Sequence, residues 1–236
     1  MNACAVIVAA GTGRRMGNEL GDKLWIKVAG EPVLAHTWRR LEDCPDVREL
    51  RIVINPRLAG KIKDLATRHG FRKPYELVAG GAERQDSVWN GLQALPAQAD
   101  LVAVQDGARP CTAPELISQC LLAASRSGAA VAAAPVTDTI KESSDGEIIA
   151  RHLDRRKLWA VSTPQAFHTS ILRHALEEAR LQGRQYTDDS AACEGIGQSV
   201  QLVPVQEPNP KLTVPADLAY VELLLRDRFG IKFPEL

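Results

Sequence analysis

The chain has no charge excess of either sign: 29 Lys and Arg balance 29 Asp and Glu over 236 residues. A protein without an overall field has no general hold on nucleic acid or on an anionic membrane, so any anion site must be local. Paired cysteines are lacking as well. Cys4, Cys44, Cys111, Cys120 and Cys193 are odd in number and scattered, with no metal-ligand spacing. They read as small buried apolar residues in a reducing compartment, not as a disulfide framework. No apolar run approaches membrane-spanning length, and no basic segment followed by a long apolar one opens the chain. A cytoplasmic protein is therefore expected. There is no Gly-x-Ser-x-Gly elbow, no histidine paired with a nucleophile and no His/Cys cluster, so hydrolase and zinc readings have nothing to rest on.

What is present is an ordinary globular composition, 45% hydrophobic and 25% charged, enough to bury a sizeable core. Apolar runs at 4–10, 50–55, 75–80, 100–105 and 129–135 read as short buried strands. Between them, 32–43, 56–69, 83–95 and 113–126 have helical spacing. This rhythm predicts an α/β fold, a Rossmann-like, doubly wound, mainly parallel sheet with helices on both sides. It breaks after Pro135. Residues 136–162 carry a polar turn at Ser144-Asp145-Gly146 and alternating flanks, which predict a projecting β-hairpin arm. An arm of that kind cannot bury both of its faces alone, so it is expected to pack on a second subunit. Helices near 169–182 and 187–196, a strand at 199–205 and a helix at 215–228 close the pattern. One domain, 1–236, is expected.

Three stretches carry chemistry. The first, "AAGTGRRMG" (9–17), follows a strand directly. Gly11 and Gly13 let consecutive N–H groups point at phosphate oxygens. The glycines alone leave dinucleotide and triphosphate open. Met16 stands where the dinucleotide fingerprint wants glycine, and no Gly-Lys-Ser/Thr follows for a P-loop. Arg15 and Lys23 would neutralise a triphosphate; Arg14 reads as a surface residue. The second, "GGAERQDSV" (80–88), is another glycine turn entering a helix. There Gly81 and Ser87 either bind a base, ribose or phosphate or merely belong to the first helical turn. In the third, "VAVQDGARP" (102–110), Asp106 ends a buried strand where doubly wound sheets bind ligands. Its carboxylate suits Mg²⁺ on a triphosphate, and Arg109 would brace the loop or touch phosphate.

Together with "PVTDTIK", "LDRRKLWAVSTPQAF", "YTDDSA" and "NPKLT", in this order along nearly the whole chain, these stretches resemble the 2-C-methyl-D-erythritol 4-phosphate cytidylyltransferase family of the non-mevalonate isoprenoid route. The resemblance implies a fold of the nucleotide-diphospho-sugar transferase type and a reaction of CTP with methylerythritol phosphate that needs Mg²⁺. It implies that Arg15 and Lys23 act at the α-phosphate and the pyrophosphate, and that Ala9, Ala10, Gly11, Gly81 and Ser87 hold the cytidine. Asp106 would lie by the metal and substrate. The arm would cross to the neighbouring subunit of a homodimer, bringing Thr139 and Arg155 to the substrate phosphate, with Lys211 and Arg109 from the site's own chain. The chain departs from the family at Asp22-Lys23-Leu24, where many members have Pro-Lys-Gln, and at Gln105-Asp106-Gly107, where His-Asp-Ala is frequent. Two other readings stand beside it: a cytidylyltransferase for another polyol phosphate such as ribitol 5-phosphate, and a non-catalytic or NAD-dependent nucleotide binder.

Overall fold

The computed structural model describes residues 2–11 and 23–230. The chain opens on β1 (Ala3–Val8). A small hairpin, β2 (Lys27–Val28) with β3 (Glu31–Pro32), then leads into α1 (Val33–Asp43). β4 (Val47–Ile54), α2 (Ala59–His69), β5 (Tyr75–Ala79), α3 (Arg84–Gln93) and β6 (Leu101–Asp106) continue the expected alternation. α4 (Pro114–Ser127) and β7 (Ala129–Pro135) complete it. The short strands β8 (Lys141–Glu142) and β9 (Arg151–His152) follow. The chain closes with β10 (Trp159–His168), α5 (Thr169–Leu181), α6 (Asp189–Gly195), β11 (Gln201–Pro204) and α7 (Asp217–Phe229).

Seven strands form one sheet in the order β11-β7-β10-β6-β1-β4-β5. β1 runs parallel to both β4 and β6, β4 to β5, and β7 to β11, whereas β10 is antiparallel to both of its neighbours. The side-chain period of two divides β1 between two cores. Ala3, Ala5 and Ile7 join Trp38, Leu65, Ile117 and Leu225 on one face. Cys4 and Val6 join Val88, Leu92, Phe167 and Leu172 on the other. Helices α1, α2, α4 and α7 thus cover the first face, and α3, α5 and α6 the second. Each fully buried Leu, Ile or Val contributes on the order of 1.5–3 kcal/mol. That is why the central strands read as continuous apolar runs instead of alternating ones.

The expected strands and helices are all present, which makes the fold an α/β, mainly parallel sheet. One strand differs from the sequence reading. Residues 153–167 look like polar clusters, yet β10 runs through them for ten residues into the middle of the sheet. Ser162, Thr163, Pro164 and Gln165 interrupt the apolar pattern, and the pairing of β10 with β7 slips register there, between Val161 and Gln165. The projecting hairpin is present, with Lys141 opposite His152 and Glu142 opposite Arg151. The Asp145 side chain accepts N–H bonds from Glu147 and Ile148 in its turn. Its expected end at 162 is corrected: residues 159–162 already belong to β10.

Candidate active site

A cavity of about 480 Å³ lies over the carboxyl ends of β1 and β6, the strands at which the chain's winding direction reverses. Its walls are three strand-end turns pressed together. The Ala9 N–H continues the ladder to the Val53 carbonyl at 2.8 Å, so Ala10 and Gly11 are the first residues of that turn to face the cavity. Gly80 donates to the Ile54 carbonyl at 2.8 Å, and Gly107 to that of Val8 at 3.0 Å. A Cβ on Gly80 would collide with that of Ala10, and one on Gly81 with that of Asp86. Gly80 is therefore demanded by the close approach of two turns, and Gly81 by the first turn of the helix that follows it.

Ser87, whose role the sequence left open, serves the helix and also lines the cavity. Its hydroxyl donates to the Glu83 carbonyl and accepts from the Gly81 N–H, both at 3.1 Å. Gly81 is thereby fixed in the cavity wall.

Asp106 sits at the centre of a buried charge cluster. Lys211 Nζ lies 2.8 Å from its carboxylate, Arg84 Nε 3.4 Å and Arg109 Nε 3.5 Å. Burial would raise the Asp106 pKa, but Arg84, Lys211 and Arg109 outweigh it and hold the carboxyl down at about 2. Arg84 in turn reaches Asp189 at 2.8 Å. Burial opposes the charge on Arg84, yet Asp189 and Asp106 push its pKa up, so it remains a guanidinium. The backbone N–H of Asp106 donates to Thr163 Oγ at 3.0 Å, where the β10 register slips. A side-chain oxygen there replaces the carbonyl of a regular ladder.

Lys211 is aimed by the segment before it. Asn209 accepts from Thr112 Oγ at 3.0 Å and donates to the Thr163 carbonyl at 2.8 Å. Its own carbonyl accepts from Arg109 Nη1 at 2.6 Å. Leu212 N–H then bonds the Ala108 carbonyl at 2.8 Å, tying both sides of Lys211 to the β6 turn.

The residues singled out from the sequence divide clearly. Ala10, Gly11, Lys23, Gly81, Ser87, Asp106 and Lys211 line one cavity. Ala9 is buried just behind it, and Arg109 is partly buried against Asp106 and Asn209. Arg15, with Arg14 and Met16, lies outside the described residues. Thr139 and Arg155 stand on the exposed arm and do not line the cavity; Arg155 Nη1 donates to the Thr137 carbonyl. Two members of the cluster were missed. Arg84 hides within "GGAERQDSV", where it looks like a surface residue of a helical first turn. Asp189 is indistinguishable in sequence from Asp188, which caps α6 through the Ala191 N–H at 2.9 Å.

A Mg²⁺ site can be tested against these side chains. Asp106 supplies an ionised hard oxygen donor, and Glu83 is the other acidic residue in the lining. Among the described residues no group of three His, Cys, Asp or Glu is placed to hold a metal ion alone. The donors present fit a cation that brings most of its oxygens with it on a polyphosphate.

Two glycine turns for backbone contact, a nucleotide-sized cavity and a lining with Lys23, Arg84 and Lys211 define a nucleotidyltransferase on a doubly wound sheet. The family model described as IspD, 2-C-methyl-D-erythritol 4-phosphate cytidylyltransferase, matches residues 3–227. The chain belongs to that family. It is 39% identical over 223 residues to the 2-C-methyl-D-erythritol 4-phosphate cytidylyltransferase of Trichormus variabilis, covering 94% of this chain and 97% of that one. To the enzyme of the same name from Bacillus licheniformis it is 42% identical over 225 residues, covering 95% and 96%. Among solved structures, the 4-diphosphocytidyl-2C-methyl-D-erythritol synthase of Anaerococcus prevotii superposes with a TM-score of 0.84 at 27% identity, covering 95% of this chain and 98% of that one. The Thermus thermophilus 2-C-methyl-D-erythritol 4-phosphate cytidylyltransferase gives 0.74 at 32% identity, covering 94% and 98%.

Proposed function

We propose that the chain transfers the cytidylyl group of CTP to 2-C-methyl-D-erythritol 4-phosphate, giving 4-diphosphocytidyl-2-C-methyl-D-erythritol and pyrophosphate, in isoprenoid precursor synthesis. The observation that carries this reading is the cavity that gathers Lys23, Arg84 and Lys211 beside two glycine turns, in a chain of this family. An oxygen of the acceptor's phosphate monoester attacks the α-phosphorus of CTP. The new P–O bond forms as the bond to the β-phosphate oxygen breaks, and the pair of electrons leaves on pyrophosphate. No covalent bond to the protein is needed, so catalysis is alignment and charge neutralisation.

Lys23 and Arg15 are assigned to the α-phosphate and the leaving group. Lys211 meets the incoming phosphate, held in aim by Asp106 and Asn209. Backbone at Ala9, Ala10 and Gly11, with Gly81 and Ser87, holds the cytidine, and Arg109 braces Asp106. Mg²⁺ would be held between phosphate oxygens and Asp106, where it would offset the charge of the triphosphate.

The arm is assigned to a homodimer. It presents Ile148 and Ile149 to solvent at 70% and 61% exposure, apolar side chains left largely uncovered among the described residues. Across the dimer, Thr139 and Arg155 would contact the acceptor phosphate in the neighbouring subunit's site. Residues 1–236 are taken as one catalytic domain. Among the described residues no helix is long and apolar enough to cross a membrane, and all five cysteines are buried and free, which suits the cytoplasm.

The test is pyrophosphate release from CTP, measured with each acceptor. It should require methylerythritol phosphate and Mg²⁺. Faster release with ribitol 5-phosphate would overturn the acceptor assignment, and release with no acceptor would overturn the transfer.

A further inference from the structure

A second cavity, of about 680 Å³, opens on the other side of the Asn209 segment, between the start of α4, the loop after β11 and the end of α7. Its walls include Leu116, Val205 and Phe229, two arginines, Arg40 and Arg228, and three carboxylates, Glu115, Glu207 and Asp227. Arg40 is only 7% exposed, and no hydrogen bond or ion pair to it is found among the described residues. Its guanidinium lies 3.7 Å over the Phe229 ring, and its Nε is buried without a partner. Arg228 donates from Nη1 to the Cys111 carbonyl at 3.5 Å and pairs through Nε with Glu207, whose side chain is more than half exposed. α4 begins at the same place, with no side chain capping it and Pro114 in its first turn. Its N-terminal dipole adds a positive end to the two guanidinium groups, which Glu115 in the same first turn partly offsets.

Buried arginines are ordinarily matched by a carboxylate, because an unpaired buried charge costs several kcal/mol. Burial lowers the Arg40 pKa, and Asp43 and Glu115, the latter in the same cavity wall, only partly restore it without forming an ion pair. We propose that this cavity binds a small phosphate monoester, its phosphate held between Arg40, Arg228 and the start of α4. The volume is within the range of small-molecule sites and exceeds what a bare phosphate fills. Leu116, Val205 and Phe229 give the organic remainder an apolar wall. Asn209 separates this cavity from the one described above: its carbonyl accepts from Arg109, and two residues on, Lys211 pairs with Asp106. The phosphorylated molecule would thus lie against the segment that aims Lys211.

The site is tested by soaking crystals of the full chain with tungstate, which shares the shape and charge of phosphate and reveals itself by anomalous scattering. The expected result is a peak between Arg40 and Arg228 that is lost in Arg40→Gln and in Arg228→Gln. In solution, calorimetric titration with glycerol 3-phosphate and with inorganic phosphate, at saturating CTP analogue, should show the monoester binding more tightly. Either variant should weaken it at least tenfold while leaving turnover of CTP unchanged. Arg228→Gln guards against a folding defect in Arg40→Gln, and circular dichroism melting checks both. Tungstate found only in the cavity lined by Lys23 and Lys211, or monoester affinity unaltered in both variants, overturns the proposal. Inorganic phosphate binding as tightly as the monoester overturns the organic subsite. Failure of the CTP analogue to bind tells against the cytidylyl reading alone, because the tungstate positions are read without it.

Discussion

Replacing Arg84 by Met removes the cation that two carboxylates share. Asp189 is 1% exposed and pairs with Arg84 at 2.8 Å; Asp106, 3.4 Å away, keeps Lys211 and Arg109. The loss therefore falls chiefly on Asp189, left as a buried charge without its partner. Breaking such a pair costs about 3–5 kcal/mol, and the lower end applies because the Arg84 side chain is 26% exposed and water reaches it. For a chain of this size, about 3 kcal/mol corresponds to a fall of roughly 6–12 °C in Tm. The double variant Arg84→Met with Asp189→Leu removes both charges and should regain at least about 2 kcal/mol, measured as a coupling free energy by urea unfolding.

The same variant makes a claim about pH. Burial already raises the Asp189 pKa and Arg84 opposes that rise; without Arg84 it goes higher. The folded state then binds a proton that the unfolded chain releases near its ordinary value of about 4, so stability falls as pH climbs through that window. The deficit of Arg84→Met should be larger at pH 8 than at pH 5. A single-variant loss below about 1 kcal/mol, or strict additivity in the double variant, would refute a buried pair of this strength.

Asp106 shows the opposite sign. Its carboxyl is depressed from 3.8 to about 2, so its contribution is complete above the unfolded value and disappears as pH falls through the folded one. At about 1.4 kcal/mol per pKa unit, wild type should lose roughly 2 kcal/mol between pH 4 and 2 that Asp106→Asn does not lose, as read from acid unfolding curves. Gly81→Ala forces its new Cβ against that of Asp86, so unfolding should be easier by about 1–3 kcal/mol and KM for CTP should rise; an unchanged KM would show that the turn does not hold the nucleotide. Mixing Arg15→Ala with Arg155→Ala subunits should recover part of the activity that each variant lacks alone. No recovery in mixed dimers, once subunit exchange is confirmed, would keep the arm out of the neighbouring site.

The fold was legible wherever burial alone decides the residue type. β1, β6, β7 and the second half of β4 are covered on both faces, so their sequences are mostly runs of Val, Ile, Leu and Ala; β5, at the sheet edge, is only partly covered and was legible from its short apolar run. β10 escaped because its middle is chosen for side-chain hydrogen bonds. Thr163 serves Asp106, and Gln165 accepts from the N–H groups of Asp189 and Ser190. Lys211 was found only through the family resemblance, whereas Gly11, Gly81 and Asp106 were found from turn chemistry, since a glycine turn or an acid at a strand end has a local cause. Arg84 and Asp189 have none. They are 105 positions apart, and each is intelligible only when α3 and α6 meet at the β6 terminus. Charge clusters of that kind are written in tertiary geometry, and a single sequence shows only their separate members.

β7 and β10 are antiparallel neighbours, with Pro135 directly opposite Trp159. Two strands so placed can be closed by a turn of two residues. This chain instead spends residues 136–158 on the connection, ordering an exposed backbone at about 1–2 kcal/mol per residue. The sheet gains nothing from the detour, for both of its strands are complete without it. Shortening that connection to a tight turn should therefore leave a folded chain with its cavity intact, and whatever such a protein fails to do is the arm's own work.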